Sequence, residues 1–243
     1  MMPVTLGCMN GSISRDLAVL TMLASLMVVL VLVLAAAPAY ADGTAPPASE
    51  QNSKPLEATY DDTQPGADDP RVKEGFATYQ ADDFKKAYDI WLPLAEAGNA
   101  EAQFRVGRLY RRGEGVPKDI KKAIRYWNAA VQKGHIHSAT NLGSLYDGGE
   151  GVERDQLRAF ELYEIGASQC DPLAQFNLGT LYVRTFTPKR NFTLGYQWLF
   201  LAEKFGSQYA AEAIDTLDKY SKKGEKALGH KRMQEWLANH SCN

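Results

Sequence analysis

His135-Ile136-His137 is the first pattern in this sequence with the right residues for metal chemistry, because two imidazoles two positions apart can share an ion when the chain is extended. On a helix, positions i and i+2 do not face each other, and no further Cys or His stands nearby. His135 also falls where a repeat unit opens its first helix, so its expected role is an N-cap. His230 and His240 have no recognisable partner. Two glycine-rich stretches, Gly113-Glu114-Gly115-Val116 and Gly149-Glu150-Gly151-Val152, have the composition of a phosphate cradle. Such cradles follow a strand and carry a P-loop or dinucleotide spacing. These follow a helix and recur with the repeat, so the glycines are read as turn positions with positive φ. Glu114 and Glu150 are expected to hydrogen-bond backbone in that turn. The remaining carboxylates are scattered, and no nucleophile, base and orienting group converge. No catalytic residue, metal ligand or cofactor is expected, and the chain is read as non-enzymatic. Asn191-Phe192-Thr193 and Asn239-His240-Ser241 match the glycosylation sequon by chance, Asn191 being a helix N-cap.

The chain has 243 residues, 45% hydrophobic and 23% charged, an ordinary globular balance. Its net charge of −2 supplies no bulk attraction for nucleic acid or an anionic membrane. Residues 1–41 read as an export signal: Arg15, an apolar run from Leu17 to Ala37, then Ala39-Tyr40-Ala41 with cleavage before Asp42. The rival reading is an uncleaved anchor, since about 20 apolar residues cross a bilayer. Cys8 stands before the apolar run, not after it as an acylation site would. Residues 42–69 carry Pro46, Pro47, Pro55 and Pro65 without an apolar period, and read as a disordered linker. Cys170 and Cys242 invite a disulfide in an oxidising compartment. Two repeats separate them, and a bridge needs Cα atoms within about 7 Å, so only the C-terminal tail folding back would join them.

These residues need a scaffold, and the scaffold is a repeat. From Pro70 the units are 70–98, 99–134, 135–170 and 171–206, followed by capping helices in 207–243; the last three full units align without a gap at a 36-residue period. A period of that length means a stacked array in which each unit buries its face against a neighbour. Asn99, His135, Asp171 and Ser207 open the first helices, and Asp83, Asp119, Asp155 and Asn191 open the second helices. Leu109, Leu145, Leu181 and Leu217 lie on one stripe, with Val106, Leu142, Leu178 and Ile214 three residues earlier on the same face. Gly107, Gly143 and Gly179 interrupt the first helix, where a neighbouring element must come close; Trp91, Trp127, Tyr163 and Leu199 supply bulk on the second.

The stretch AEAQFRVGRLYRRGEGVPKDIKKAIRYWNAA resembles the Sel1-like repeat, a relative of the tetratricopeptide repeat with a longer, glycine-marked turn. Unit 70–98, with a short turn at Ala81-Asp82, resembles the plainer tetratricopeptide hairpin. Unit 171–206 departs from the pattern, with Thr185-Phe186-Thr187-Pro188 in place of Gly-Glu-Gly-Val. The resemblance implies an all-α solenoid of about five antiparallel helix pairs in a right-handed superhelix. It implies an interaction scaffold of the bacterial envelope, periplasmic or secreted, with a protein or peptide held in the concave groove. It lacks the cysteine pair per repeat of the cysteine-rich relatives to which penicillin-directed activity is attributed. An envelope enzyme and a membrane-tethered structural module stand as alternatives.

First helices line the concave wall of such solenoids. The stripe left over from the core is Arg105, Arg108 and Arg112, then Asn141 and Ser144, then Asn177, Thr180 and Arg184. In the resembling families an asparagine at the first of these positions faces the groove; Asn141 and Asn177 match it and Arg105 replaces it. The arginines make the first unit's groove basic, suited to an acidic segment or a terminal carboxylate. Nucleic acid is not expected, and contact with a membrane only if the N-terminal segment is retained.

Overall fold

The computed structural model describes residues 61–184 and 190–242. The signal or anchor expected over 1–41 and the linker up to residue 60 lie outside the described residues, as does the unusual turn at 185–188. Among the described residues there are ten helices and no strand: α1 Pro70–Gln80, α2 Phe84–Glu96, α3 Ala100–Arg112, α4 Ile120–Val131, α5 Ile136–Gly148, α6 Gln156–Ser168, α7 Pro172–Arg184, α8 Phe192–Lys204, α9 Ala210–Asp218 and α10 Glu225–Asn239. None of these is long and apolar enough to cross a membrane. The fold is an all-α solenoid. Helices α1/α2, α3/α4, α5/α6 and α7/α8 form the hairpins, and each hairpin packs on the next.

Local chemistry starts each helix. Asp83, Asp119, Asp155 and Asn191 accept from the backbone N–H three residues on, satisfying donors the helix cannot. Asn99 and His135 do the same for α3 and α5. Asp171 accepts from Leu173 N at 3.0 Å. Ser207 departs from the expectation: α9 starts later, at Ala210, with Tyr209 in the cap position and no side-chain cap bond.

Within a hairpin, the second helix presses a large side chain onto a glycine of the first. Trp91, Trp127, Tyr163 and Leu199 are at most 1% exposed. A Cβ at Gly75 or Gly107 would overlap the indole of Trp91 or Trp127; at Gly143 it would stand 2.7 Å from the Tyr163 ring, and at Gly179 2.9 Å from Leu199 Cγ. Each indole N–H also donates to a first-helix carbonyl, Trp91 to Val72 O at 3.1 Å and Trp127 to Phe104 O at 3.0 Å. The turn glycines work between units. Gly113 and Gly115 have φ of 74° and 68°. A Cβ at Gly115 would lie 2.6 Å from the Phe84 carbonyl, so this turn rests on the start of the preceding unit's second helix.

The two ends of the array depart from the repeat. Residues 61–69, expected to belong to the linker, are instead a strap along the starts of α3 and α5. Pro65 O accepts from Glu101 N at 3.0 Å, Gly66 O from Asn99 Nδ2 at 2.9 Å, and Gln64 Oε1 from Ile136 N at 3.0 Å. Gln64 and Ala67 are buried. At the other end, α10 packs on α8 rather than on α9. This reversal carries the tail back two units and joins Cys242 to Cys170, with Cα atoms 5.7 Å apart. The separation that argued against a bridge is therefore overcome by the tail folding back.

Replacing Gly107 by Ala is expected to cost about 1–3 kcal/mol, as overpacking does. Trp127→Ala should cost about 3–5 kcal/mol. Gly148→Ala, whose added methyl meets open space, should change stability by no more than about 1 kcal/mol. Denaturant unfolding of the three variants distinguishes them, and equal losses at Gly107 and Gly148 would refute the close-approach role.

Candidate functional site

The first helices α3, α5 and α7 carry all the residues of the expected groove, but their states differ. Arg105 and Arg108 are 3% and 7% exposed. Arg105 Nε donates to Glu101 Oε1 at 2.5 Å, and its guanidinium lies over the Phe76 ring, 4.9 Å from the centroid. Arg108 lies 5.3 Å over the Tyr79 ring, and burial lowers its pKa to about 10. The expectation of an open basic patch is thereby corrected: both cations are spent on contacts between the first two units. Arg112 is exposed and pairs with Glu114 at 3.2 Å. Asn141 Nδ2 donates to His137 O at 2.8 Å. Ser144 is half-buried beside the Tyr163 hydroxyl. Thr180 Oγ1 donates to Asn177 O at 2.9 Å, and Arg184 pairs with Asp147. Asn177 is 1% exposed, yet neither its amide oxygen nor its amide nitrogen has a hydrogen-bond partner.

Glu114 and Glu150 do not bond the backbone as expected. Glu114 accepts from Tyr79 OH at 2.9 Å, and Glu150 takes Arg111 at 2.9 Å and Lys118 at 3.4 Å. Each glutamate reaches the preceding unit, so the recurrent turn residue ties neighbours together. Its 36-residue spacing was the signal.

The H-x-H pair faces two separate carboxylate sets. His135 is fully buried; its Nδ1 accepts from Ser138 N at 3.2 Å, which leaves Nε2–H to donate to Glu101 Oε2 at 2.8 Å. Burial lowers the His135 pKa and favours this neutral form. Burial would raise the pKa of Glu101, but Arg105 and His135 outweigh it and hold the carboxylate ionised. His137 Nε2 bonds Asp61 Oδ2 at 3.0 Å, and its Nδ1 stands 3.8 Å from Asp171 Oδ2. Burial would lower the His137 pKa; the Asp171 and Asp61 carboxylates outweigh it and push the value up to about 9. Asp171, itself buried, is held below the ordinary carboxylate range by the same imidazolium, and Thr140 Oγ1 donates to it at 2.6 Å. Among the described residues no group of three or more His, Cys, Asp or Glu could hold a metal ion.

The arrangement defines a helical-repeat protein: stacked hairpins, a row of first helices, and polar side chains spent mostly on joining units. The chain carries three Sel1 repeats. The Sel1 repeat family model matches residues 100–135, 136–169 and 172–204. Two solved structures share the fold. One is a Sel1 repeat protein from Oxalobacter formigenes, with TM-score 0.57 and 24% identity over 64% of this chain and 63% of that one. The other is c5321, described as a protective antigen of uropathogenic Escherichia coli with an SLR fold. It has TM-score 0.58 and 23% identity over 78% of this chain and 40% of that one. The chain thus spans under two thirds of each. No curated protein matches the sequence. Sel1 repeats are in general modules for protein–protein interaction, and their scaffolds are in general non-catalytic.

The His137 ion pair sets a pH dependence. A raised folded-state pKa contributes stability that is fully present below the ordinary value of 6.5 and is lost as pH rises through about 9. Wild type should therefore exceed His137→Gln in melting temperature near neutrality, and the gap should close above about pH 9. A gap independent of pH over that window would show that His137 acts through packing alone.

Proposed function

We propose that the protein is an exported scaffold that holds a protein or peptide partner against the wall formed by α3, α5 and α7. Arg112, Asn141, Ser144, Asn177, Thr180 and Arg184 supply the contacts in this reading, and Arg105 and Arg108 act as the floor beneath them. The observation that carries the reading is Asn177, a buried amide on the groove-side stripe with both polar atoms unpartnered. Leaving such a group unsatisfied costs about 1–3 kcal/mol. A partner's peptide unit can donate to its oxygen and accept from its nitrogen, recovering that cost. Because Asn177 is covered, binding is coupled to a local opening that exposes it. With Arg105 and Arg108 already engaged, recognition rests on the partner's main chain more than on its charge.

Export is supported by two features. The N-terminal run with its small-residue site fits a secretory signal. The Cys170–Cys242 bridge fits an oxidising compartment such as the periplasm. A role in envelope signalling is the corresponding pathway-level proposal.

Site-specific photo-crosslinking in cells tests the groove. A crosslinker at Thr180 should capture one partner, while one at Leu157, exposed on α6, should not. Asn177→Ala should lower capture from Thr180 about tenfold, equivalent to about 1.4 kcal/mol, with the helical circular dichroism unchanged. Capture from Leu157 alone, or unchanged capture in Asn177→Ala, would move the binding surface away from the groove.

A further inference from the structure

We propose that the Cys170–Cys242 disulfide is a redox latch that holds α10 across α8, and that reduction by a dithiol releases the helix. The latch is independent of what occupies the groove. Helix α10 lies along α8 with Gly229 against Tyr196 and Thr193 O, but the contact is shallow. Only Gly229 and Met233 are buried along its length, and its start at Gly224 has no side-chain cap bond. At its margin Arg232 Nε donates to Gln197 Oε1 at 3.1 Å, His230 meets Phe200 with ring centroids 5.5 Å apart, and Trp236 meets Trp198 at 5.9 Å. The disulfide sits just beyond the far end of the helix, where leverage against undocking is greatest.

The near end is built to stay. Lys226 pairs with Asp218 at 2.6 Å, and Tyr196 OH donates to Asp218 Oδ1 at 2.6 Å. Gly224, with φ of 94°, lies between α9 and α10 and supplies the pivot. Both cysteines are half-buried rather than sealed, so a reductant can reach them. One thiolate of a dithiol attacks Cys242 Sγ, the S–S bond breaks, and Cys170 leaves as a thiolate that takes up a proton. The second thiol of the reductant then displaces Cys242 as a thiol and closes the reductant's own disulfide. Two electrons and two protons pass to the protein. Swinging α10 away uncovers the α8 face around Tyr196 and Trp198, an apolar surface that the oxidised form keeps closed.

Hydrogen exchange read by mass spectrometry tests the latch on the whole chain, oxidised and in dithiothreitol, with Cys242→Ser and Cys170→Ser alongside. Reduction and both variants should speed exchange of the 225–239 amides about 100-fold, the scale a removed cross-link predicts. Amides of α3 to α6 should keep their rates, and an apolar-surface dye should bind only the released forms. Oxidised Trp236→Ala should retain protection in α10, because the bridge and not this ring holds the helix. The proposal is overturned if 225–239 stays within about threefold of the oxidised rate, if exchange rises equally through α3–α6, or if Trp236→Ala alone frees α10.

Discussion

Each hairpin closes because a large side chain of its second helix lies on bare backbone of its first. The glycine that makes this possible costs the helix about 1 kcal/mol, while burying the opposing side chain returns about 1.5–3 kcal/mol. The exchange favours the hairpin only if the ring reaches the backbone, which is why the glycine and the bulky residue recur together. In α7/α8 the ring is replaced by Leu199, and a second glycine, Gly195, faces Gly179 across the hairpin; a Cβ at Gly195 would stand 3.3 Å from Gly179 O. A smaller plug is thus matched by a closer approach of the two helices. Packing within the unit fixes the tilt of the first helix, and with it the row of helices that carries the proposed contact residues.

Between units charge is added to shape. Glu101, Glu114, Glu150 and Asp171 each reach a residue of a neighbouring unit or of the strap's contact set. Glu101 and Asp171 are buried, and losing one partner of a buried pair typically costs about 3–5 kcal/mol. Their contribution is therefore to specify order more than to add stability. A unit stacked out of sequence would bury Glu101 without His135, or His137 without Asp171. Identical hairpins could slide along one another; these cannot without stranding a charge.

The period made the within-unit structure legible. Caps, the leucine stripe and the glycine–aromatic pairing all sit at fixed offsets, so one unit's reading transfers to the next. What crosses between non-equivalent positions was not legible in that way. The strap carries no apolar period, because it contributes main-chain carbonyls and two short polar side chains, which composition does not distinguish from a linker. Ser207 has the right type at the right offset, but α9 begins after it. The Arg105 ion pair is a different case: Glu101 precedes it by four residues, the favourable order on a helix. That spacing was readable, and a groove arginine with an i−4 glutamate is better placed in a contact than in an open site. The repeat puts Asn177 on the stripe left over from the core, but the burial of its amide and its lack of a partner emerge only in three dimensions.

Open-ended arrays leave two half-satisfied faces, and nearest-neighbour contacts let such arrays fray from the ends. Here both ends return to the same unit. The strap brings Asp61 to His137 and Gln64 to Ile136, at the start of unit 135–170. The tail brings Cys242 to Cys170, at the end of that unit. The central hairpin α5/α6 is therefore joined to its neighbours by stacking and to both termini by longer ties. Fraying at either end must break a tie to the middle as well as the local interface. One tie is an ion pair, sensitive to protons, and the other a disulfide, sensitive to thiols. The two ends can therefore be loosened by different chemistry, while the packing of bulky side chains on glycine inside each hairpin responds to neither.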